Sequence, residues 1–253
     1  RSLKGTAKMT QSKYTSTGYE LYRDAERVVI ATMNSSNEKT GNMVQVWILA
    51  AAESPTAASK SGADSAVCGD CKHRQGQGGA CYVTLFQGPL AVYKTWQRGS
   101  YPFLETTDYQ QVFQGRRIRL GAYGDPAFIP ARILRALVRA ANGHTGYTHQ
   151  WAKPESAWLK PYVMASVDSV TEYQAAKLAS WRTFRVTAHN SDKQAREIPC
   201  PAAIEQGKGT TCEQCRLCSG STGPGDPRKD IVIQVHGVKA SKFAIIQIGR
   251  AHV

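Results

Sequence analysis

The chain has 253 residues, of which 42% are hydrophobic and 20% are charged, as expected of a folded domain with a buried core. No stretch approaches the roughly 18 apolar residues of a membrane span and no secretory leader is evident, so we expect a cytoplasmic protein with no membrane partner. The net charge of +13 favours polyanionic partners such as nucleic acid, and a basic surface with no such role is the alternative.

Residues 1–42 precede the first strand of the predicted core and are interpreted as an N-terminal extension, in which Met9 is a plausible translation start. At the other end, residues 248–253 resemble a translated sequencing adaptor. We therefore expect a truncated metagenomic reading frame, and we base no functional argument on those last residues.

The predicted core, residues 43–192, begins with a nearly continuous apolar run at 43–52, the pattern of a strand buried on both faces. Further strands are predicted at 117–123, 145–151, 162–167 and 183–188, and a last one at 231–236 within the segment 229–247. Helices are predicted from Pro130, with an apolar stripe opposite a row of arginines, and after Ser169, where Glu172 completes a capping box. This alternation predicts a mainly parallel α/β sheet with functional residues at the carboxyl ends of its strands.

Seven cysteines without a secretory leader argue against a disulfide framework and for metal or iron–sulfur ligands. The segment 193–228 contains Cys200, Cys212, Cys215 and Cys218, whose two overlapping CxxC units let the thiolates face one centre. Four thiolates complete either a tetrahedral zinc site or an iron–sulfur cluster, and the spacing does not choose between them.

A second group, Cys68, Cys71 and Cys81, follows the first strand of the core and offers only three thiolates. His73 is a candidate fourth ligand for a zinc site, although a solvated loop histidine is the simpler interpretation. Alternatively, the fourth position stays open, as a cluster iron with a free coordination site would need.

This order of elements resembles the partial (β/α) barrel of radical S-adenosylmethionine (radical SAM) enzymes over roughly residues 43–188. In that family a three-cysteine loop after the first strand binds a four-iron cluster, and a Gly-Gly-Glu-Pro-like turn after the second strand holds the methionine amino group. Here the loop from Cys68 to Cys81 and the turn Gly124-Asp125-Pro126 take those places. The phrases GAYGDP, TGYTHQW and CxxC…CY also resemble uncharacterised phage-borne proteins, which implies a phage or bacterial host cytosol.

The resemblance implies a [4Fe–4S] cluster on the three-cysteine group and S-adenosylmethionine as cofactor. Gly124 and Asp125 would bind this cofactor together with Ser166 and Asp168, because residues 165–169 are similar to the family's Ser-x-Asp segment. The four-cysteine segment is similar to the auxiliary cluster that some subfamilies contain.

Three polar residues are candidates for catalysis. Tyr147 and His149 lie on the predicted third strand, where alternation puts both side chains on one face. If that face is the interior of the barrel, Tyr147 and His149 are placed to bind substrate. Asp125 is predicted to lie at the rim formed by the carboxyl ends of the strands, as is the three-cysteine loop. A histidine with a purely structural hydrogen bond is the alternative.

The sequence therefore predicts an iron–sulfur enzyme of the radical SAM type, with an unknown substrate and with nucleic acid among the candidates. The alternative, from a different functional class, is a non-catalytic, zinc-stabilised nucleic-acid-binding phage protein.

If the basic charge serves nucleic-acid binding, affinity should fall steeply with salt, because each neutralised phosphate releases condensed counterions. Fluorescence anisotropy with a labelled oligonucleotide, repeated across a salt series, measures the log–log slope. An uncharged peptide nucleic acid of the same base sequence is the matched control and should bind weakly at every salt concentration. Absent binding at low salt, or binding that salt does not change, would remove nucleic acid from the partners.

Overall fold

The structure, a computed structural model, describes residues 14–188, 193–203, 207, 209–237 and 239–243. The proposed start at Met9 and the proposed adaptor residues 248–253 lie outside the described residues. Within the part of the chain that is described, no helix combines the length and the apolar character that crossing a membrane requires.

The strands are β1 (Gly18–Arg23), β2 (Arg27–Thr32), β3 (Val44–Ala50), β4 (Ile118–Tyr123), β5 (His144–Thr148), β6 (Met164–Val167), β7 (Thr183–Thr187), β8 (Glu197–Pro199) and β9 (Asp230–Gln234). They form one sheet in the order β1-β2-β3-β4-β5-β6-β7-β9-β8. The pairs β1–β2 and β2–β3 are antiparallel, and all the others are parallel. The predicted mainly parallel α/β class is thus confirmed, as a sheet that does not close and has β1 and β8 at its edges.

The first two strands belong to the segment that the sequence predicts to be an N-terminal extension. β1 and β2 form a hairpin that continues the sheet beyond β3, so residues 18–32 are part of the core sheet. The connection is a turn in which Asp24 accepts hydrogen bonds from the backbone N–H groups of Glu26 and Arg27, at 2.9 and 2.8 Å. This aspartate-based turn replaces the Asn-Gly or Asp-Gly pair by which hairpins are usually recognised in a sequence.

The helices are α1 (Pro55–Ser61), α2 (Ser65–Cys68), α3 (Gly88–Gln97), α4 (Tyr109–Phe113), α5 (Ala131–Ala140), α6 (Val170–Leu178) and α7 (Cys212–Cys215). As predicted, α5 buries Ile133, Leu134 and Leu137 and exposes its arginines. At the start of α6, the Ser169 hydroxyl accepts a hydrogen bond from the Glu172 N–H at 3.0 Å. The Glu172 carboxylate accepts a hydrogen bond from the Asp168 N–H, whereas the predicted capping box would have the Ser169 N–H as the donor.

The two faces of the sheet are covered by different parts of the chain. One face packs against helices, since Leu120 of β4 and Ala165 of β6 lie in the same buried cluster as Leu137 of α5 and Ala176 of α6. Side chains alternate along a strand, so the neighbouring positions point to the opposite face.

The opposite face is covered by the four-cysteine segment. Tyr147 of β5 is in register with Met164 of β6, and Ser166 is in register with Phe184 of β7, so these side chains share that face. Met164 packs with the buried Cys200 and Cys218 in a separate apolar cluster. The four-cysteine segment therefore covers the face of the sheet that the helices leave open.

Candidate metal centres

The three cysteines of the N-terminal group line one cavity, which we call the three-cysteine cavity. Cys68 is the last residue of α2, Cys71 follows the turn at Gly69, and Cys81 returns after a nine-residue loop. Gly69 has φ +58°, and a side chain there would meet Gln150, so the turn favours glycine. The structure thus brings together the residues that the sequence predicts as one ligand set.

The loop between the cysteines is held from inside. The backbone N–H of Cys81 donates to the His73 carbonyl at 2.8 Å. The Arg74 guanidinium donates to the carbonyls of Gly62 and Gly69 and pairs with the Asp64 carboxylate at 2.6 Å. These bonds fix the relative positions of Cys71 and Cys81, and they leave the loop less mobile than its glycines suggest.

The Gly124-Asp125 turn lies at the same rim as the three-cysteine cavity, as predicted. The Asp125 N–H donates to the Val67 carbonyl at 2.8 Å, next to Cys68. Gly124 has φ +80°, and a Cβ atom there would lie 2.6 Å from the Ile48 carbonyl oxygen. Only glycine therefore allows β3 and the end of β4 to approach this closely.

The Asp125 carboxylate joins the ends of β4 and β5. One of its oxygens accepts from the Thr148 hydroxyl at 2.7 Å and the Ala127 N–H at 2.9 Å, and the other accepts from the His149 N–H at 2.7 Å. Burial raises the pKa of Asp125, although these donors and the nearby His149 ring act in the other direction. The Asp125 carboxylate, which the sequence predicts to bind the cofactor, therefore already accepts hydrogen bonds from three groups of the protein itself.

His73 is buried and paired, which overturns the interpretation of a solvated loop histidine. His73 is one of the residues that line the three-cysteine cavity, and its Nε2 lies 2.6 Å from Oδ2 of Asp168. The ring also stacks on Phe243 and meets the edge of the His149 ring. The Cys-x-His spacing marks His73 as a candidate ligand, but the sequence cannot show which residues bury its ring.

Asp168 is the centre of a buried charge network. Its Oδ2 also pairs with the Lys72 ammonium at 2.8 Å, and Lys72 in turn pairs with Glu172 at 2.5 Å. Burial alone would raise the pKa of Asp168, but the hydrogen bond to His73 and the nearby His149 and Lys72 outweigh it and hold the pKa below its usual range. The Asp168 side chain is therefore a carboxylate.

Two polar atoms at the three-cysteine cavity are buried without a hydrogen-bond partner among the described residues. They are Nδ1 of His73 and the hydroxyl of Tyr123, and their residues are only 7% and 5% exposed. Buried polar atoms without partners are rare in folded proteins and indicate a missing ligand or water.

The four cysteines of the C-terminal group line a second cavity, which we call the four-cysteine cavity. α7 supplies Cys212 and Cys215 from one short turn, which begins at a capping box of Thr211 and Gln214. Arg216 follows with φ +63°, and this left-handed residue turns the chain back toward Cys218. The two overlapping CxxC units thus fold into a knuckle with its sulfurs toward one space.

The knuckle is attached to the sheet by a buried arginine. Arg182, at the start of β7, donates to the carbonyls of Leu217 and Ser219 at 2.7 Å each, on either side of Cys218. The Gly146 N–H of β5 donates to the Cys218 carbonyl at 3.1 Å. These contacts fix Cys218 on the face of the sheet that α7 covers.

The structure places the predicted catalytic pair at different centres. Tyr147 lines the four-cysteine cavity and stacks on Phe184, with ring centroids 4.3 Å apart. His149 lies beyond the end of β5, beside His73 and Asp125. Ser166 is buried on the same face of the sheet. Because His149 lies outside the strand and beside a different group of residues, Tyr147 and His149 do not meet in one substrate site.

Burial raises the pKa of buried thiols in each group and so favours their neutral form. It raises the pKa of Cys71 to about 12 and that of Cys218 to about 12. Burial, with the neighbouring thiols Cys81 and Cys71, also raises the pKa of Cys68. A bound cation reverses this preference, because it stabilises the thiolate directly. Both groups are therefore expected to release protons when they take up metal.

The sulfur atoms of each group are spread apart. Among the described residues, one set of three potential ligands has all its ligand atoms within 4.8 Å of one another, and that set is His73, His149 and Asp168. Every trio of cysteine sulfurs therefore contains a pair that is farther apart than 4.8 Å.

One cation lies between the two cysteine groups. Arg119 of β4 donates to the Tyr82 hydroxyl at 2.7 Å, and Tyr82 follows Cys81 in the chain. Its guanidinium also lies near Tyr147 and Cys212, and Tyr82 together with these two groups raises the pKa of Arg119. No motif in the sequence singles out this arginine, because its position depends on the register of the strands.

Comparisons with known proteins do not assign this arrangement. No family model matches the chain, and no curated protein or solved structure is significantly similar to it.

Asp125→Ala should destabilise the fold, because three donors, of which the Thr148 hydroxyl is buried and the other two are partly buried, would lose their acceptor, at a cost of about 1–3 kcal/mol for each group left unpaired. We expect the free energy of unfolding, measured by urea titration of the full chain, to fall by about 3 kcal/mol in total. Asp70→Ala is the matched control: Asp70 is exposed, pairs with Lys153 and has a hydrogen bond to Gln150, so the change should stay within about 0.5 kcal/mol. An Asp125→Ala chain as stable as the wild type would contradict this structural role.

Proposed function

We propose that this protein is an iron–sulfur enzyme of the radical SAM type with two metal centres. Cys68, Cys71 and Cys81 would hold a [4Fe–4S] cluster that leaves one iron for S-adenosylmethionine, and the four-cysteine group would hold an auxiliary cluster. The partial-barrel curvature of the sheet is part of this proposal.

The observation that carries the proposal is the position of the three-cysteine cavity. It lies at the carboxyl edge of the parallel strands, and the Asp125 N–H to Val67 carbonyl bond joins it to the Gly124-Asp125 turn. Ligands of parallel sheets bind at this edge. The unpartnered hydroxyl of Tyr123 is a further sign that the cavity takes a polar ligand.

The residues proposed for S-adenosylmethionine fit in part. Asp125 and Asp168 lie near the three-cysteine cavity, but the Asp168 carboxylate already pairs with the Lys72 ammonium and with His73. Because the Asp125 carboxylate has three donors already, its role is to hold the turn. A reduced cluster with an open iron, when bound, supplies single electrons to the ligand at that iron.

The net charge of +13 favours nucleic acid as the substrate. It equally favours the other candidate function, a zinc-stabilised nucleic-acid-binding protein without catalysis, and the two differ in the metal that they hold.

Anaerobic reconstitution of the full chain with iron and sulfide tests the proposal. The protein should absorb near 400 nm and hold about eight irons, four at each centre. Cys71→Ala and Cys215→Ser form a matched pair, since each removes one ligand from one group and should lower the iron content by about half.

The activity should depend on one centre only. With dithionite and S-adenosylmethionine, the wild type should release 5′-deoxyadenosine, Cys71→Ala should release none, and Cys215→Ser should retain the three-cysteine cluster. A colourless zinc protein, or an iron protein that does not cleave the cofactor, would contradict the proposal. Zinc with retained oligonucleotide binding would instead support the non-catalytic alternative.

A further inference from the structure

His73 has a fixed position relative to two of the cysteines. It lies two residues after Cys71, and its carbonyl accepts the Cys81 N–H at 2.8 Å. Gly79 packs so tightly on the His73 backbone that a side chain at residue 79 would overlap it. His73 is 7% exposed and is one of the residues that line the three-cysteine cavity. The histidine is thus as firmly held at the cavity as the cysteines are.

The bond to Asp168 determines which ring nitrogen is available. A carboxylate only accepts hydrogen bonds, so Nε2 of His73, 2.6 Å from Oδ2, carries the proton. In the neutral ring the lone pair then belongs to Nδ1, which is buried and has no partner among the described residues. Histidines that bind metals typically donate their other ring nitrogen to a carboxylate in this way.

A separate metal ion between His73, His149 and Asp168 is disfavoured, although their ligand atoms lie within 4.8 Å of one another. The Lys72 ammonium lies 2.8 Å from the same Asp168 oxygen that such an ion would use. Two cations at one carboxylate oxygen would repel each other strongly in a buried site. Asp168 is therefore better placed to orient His73 than to bind a metal itself.

We propose that His73 is the fourth ligand of the three-cysteine cluster, through Nδ1, and that Asp168 is the residue that positions it. This inference rests on the proposed iron–sulfur function. A neutral imidazole holds iron less tightly than a thiolate does, so this corner of the cluster is the exchangeable one. His73 protects the fourth iron until S-adenosylmethionine takes its place.

Pulsed electron paramagnetic resonance of the reduced, reconstituted full chain tests the assignment, with histidine labelled with ¹⁵N. The wild type should show a strong coupling between the cluster spin and a histidine nitrogen. An all-cysteine centre contains no ligating nitrogen, so the second cluster cannot produce this signal. His73→Ala should lose the coupling and retain its iron, because the three cysteines remain.

His149→Gln is the matched control, since it removes the neighbouring ring, whose centroid is 5.6 Å from that of His73. The His149→Gln variant should keep the nitrogen coupling. Loss of the coupling in His149→Gln, together with its retention in His73→Ala, would overturn the assignment. A wild-type cluster that shows no nitrogen coupling would also overturn the assignment, while leaving the proposed function intact. This measurement uses the wild type, so it does not depend on whether a variant folds. Adding S-adenosylmethionine should abolish the coupling, and its persistence would contradict the cofactor chemistry but not the ligand.

Discussion

One group, the buried carboxylate of Asp125, determines how the carboxyl ends of the strands and the three-cysteine cavity are arranged. Its oxygens bind donors from the end of β4 and the end of β5, and its backbone N–H binds the carbonyl that precedes Cys68. The ends of two strands and the start of the cysteine loop therefore meet at one residue. Because burial raises the pKa of this carboxyl, only the full set of donors makes its position favourable.

The two centres share one electrostatic feature, since each contains buried thiols. Buried thiols are neutral without metal, as the pKa of about 12 for Cys71 and for Cys218 indicates. Positive groups already surround them: Lys239 donates to the Cys81 carbonyl at 3.0 Å, and Arg119 lies between the groups. These cations are suited to a thiolate-ligated centre with a net negative charge, and metal uptake should therefore stabilise the fold.

Much of the sheet follows from local pattern. The apolar runs predicted β3 and β6, the helix stripe predicted α5, and the overlapping CxxC units predicted a common cavity for four cysteines. The short strand β8 was not predictable from local pattern. Its place depends on the buried ion pair between Glu197 of β8 and Arg185 of β7, and this contact between two strands leaves no mark in the sequence.

The candidate site was predictable in its ligands but not in its surroundings. Spacing showed which cysteines belong together, whereas the burial of His73 depends on Phe243, which comes from the far end of the chain. Strand alternation put Tyr147 and His149 on one face, but it could not show that the four-cysteine segment covers only the part of that face near Tyr147. Long-range packing decides both points.

Mössbauer spectroscopy of the ⁵⁷Fe-reconstituted full chain, with and without S-adenosylmethionine, tests most directly the claim that the two centres differ in coordination. With two [4Fe–4S] clusters, about one iron in eight should change its isomer shift on cofactor addition, and the others should not. The same shift should be absent in Cys71→Ala. Unchanged spectra, or a change spread over all the irons, would contradict a single exchangeable iron at the three-cysteine cavity.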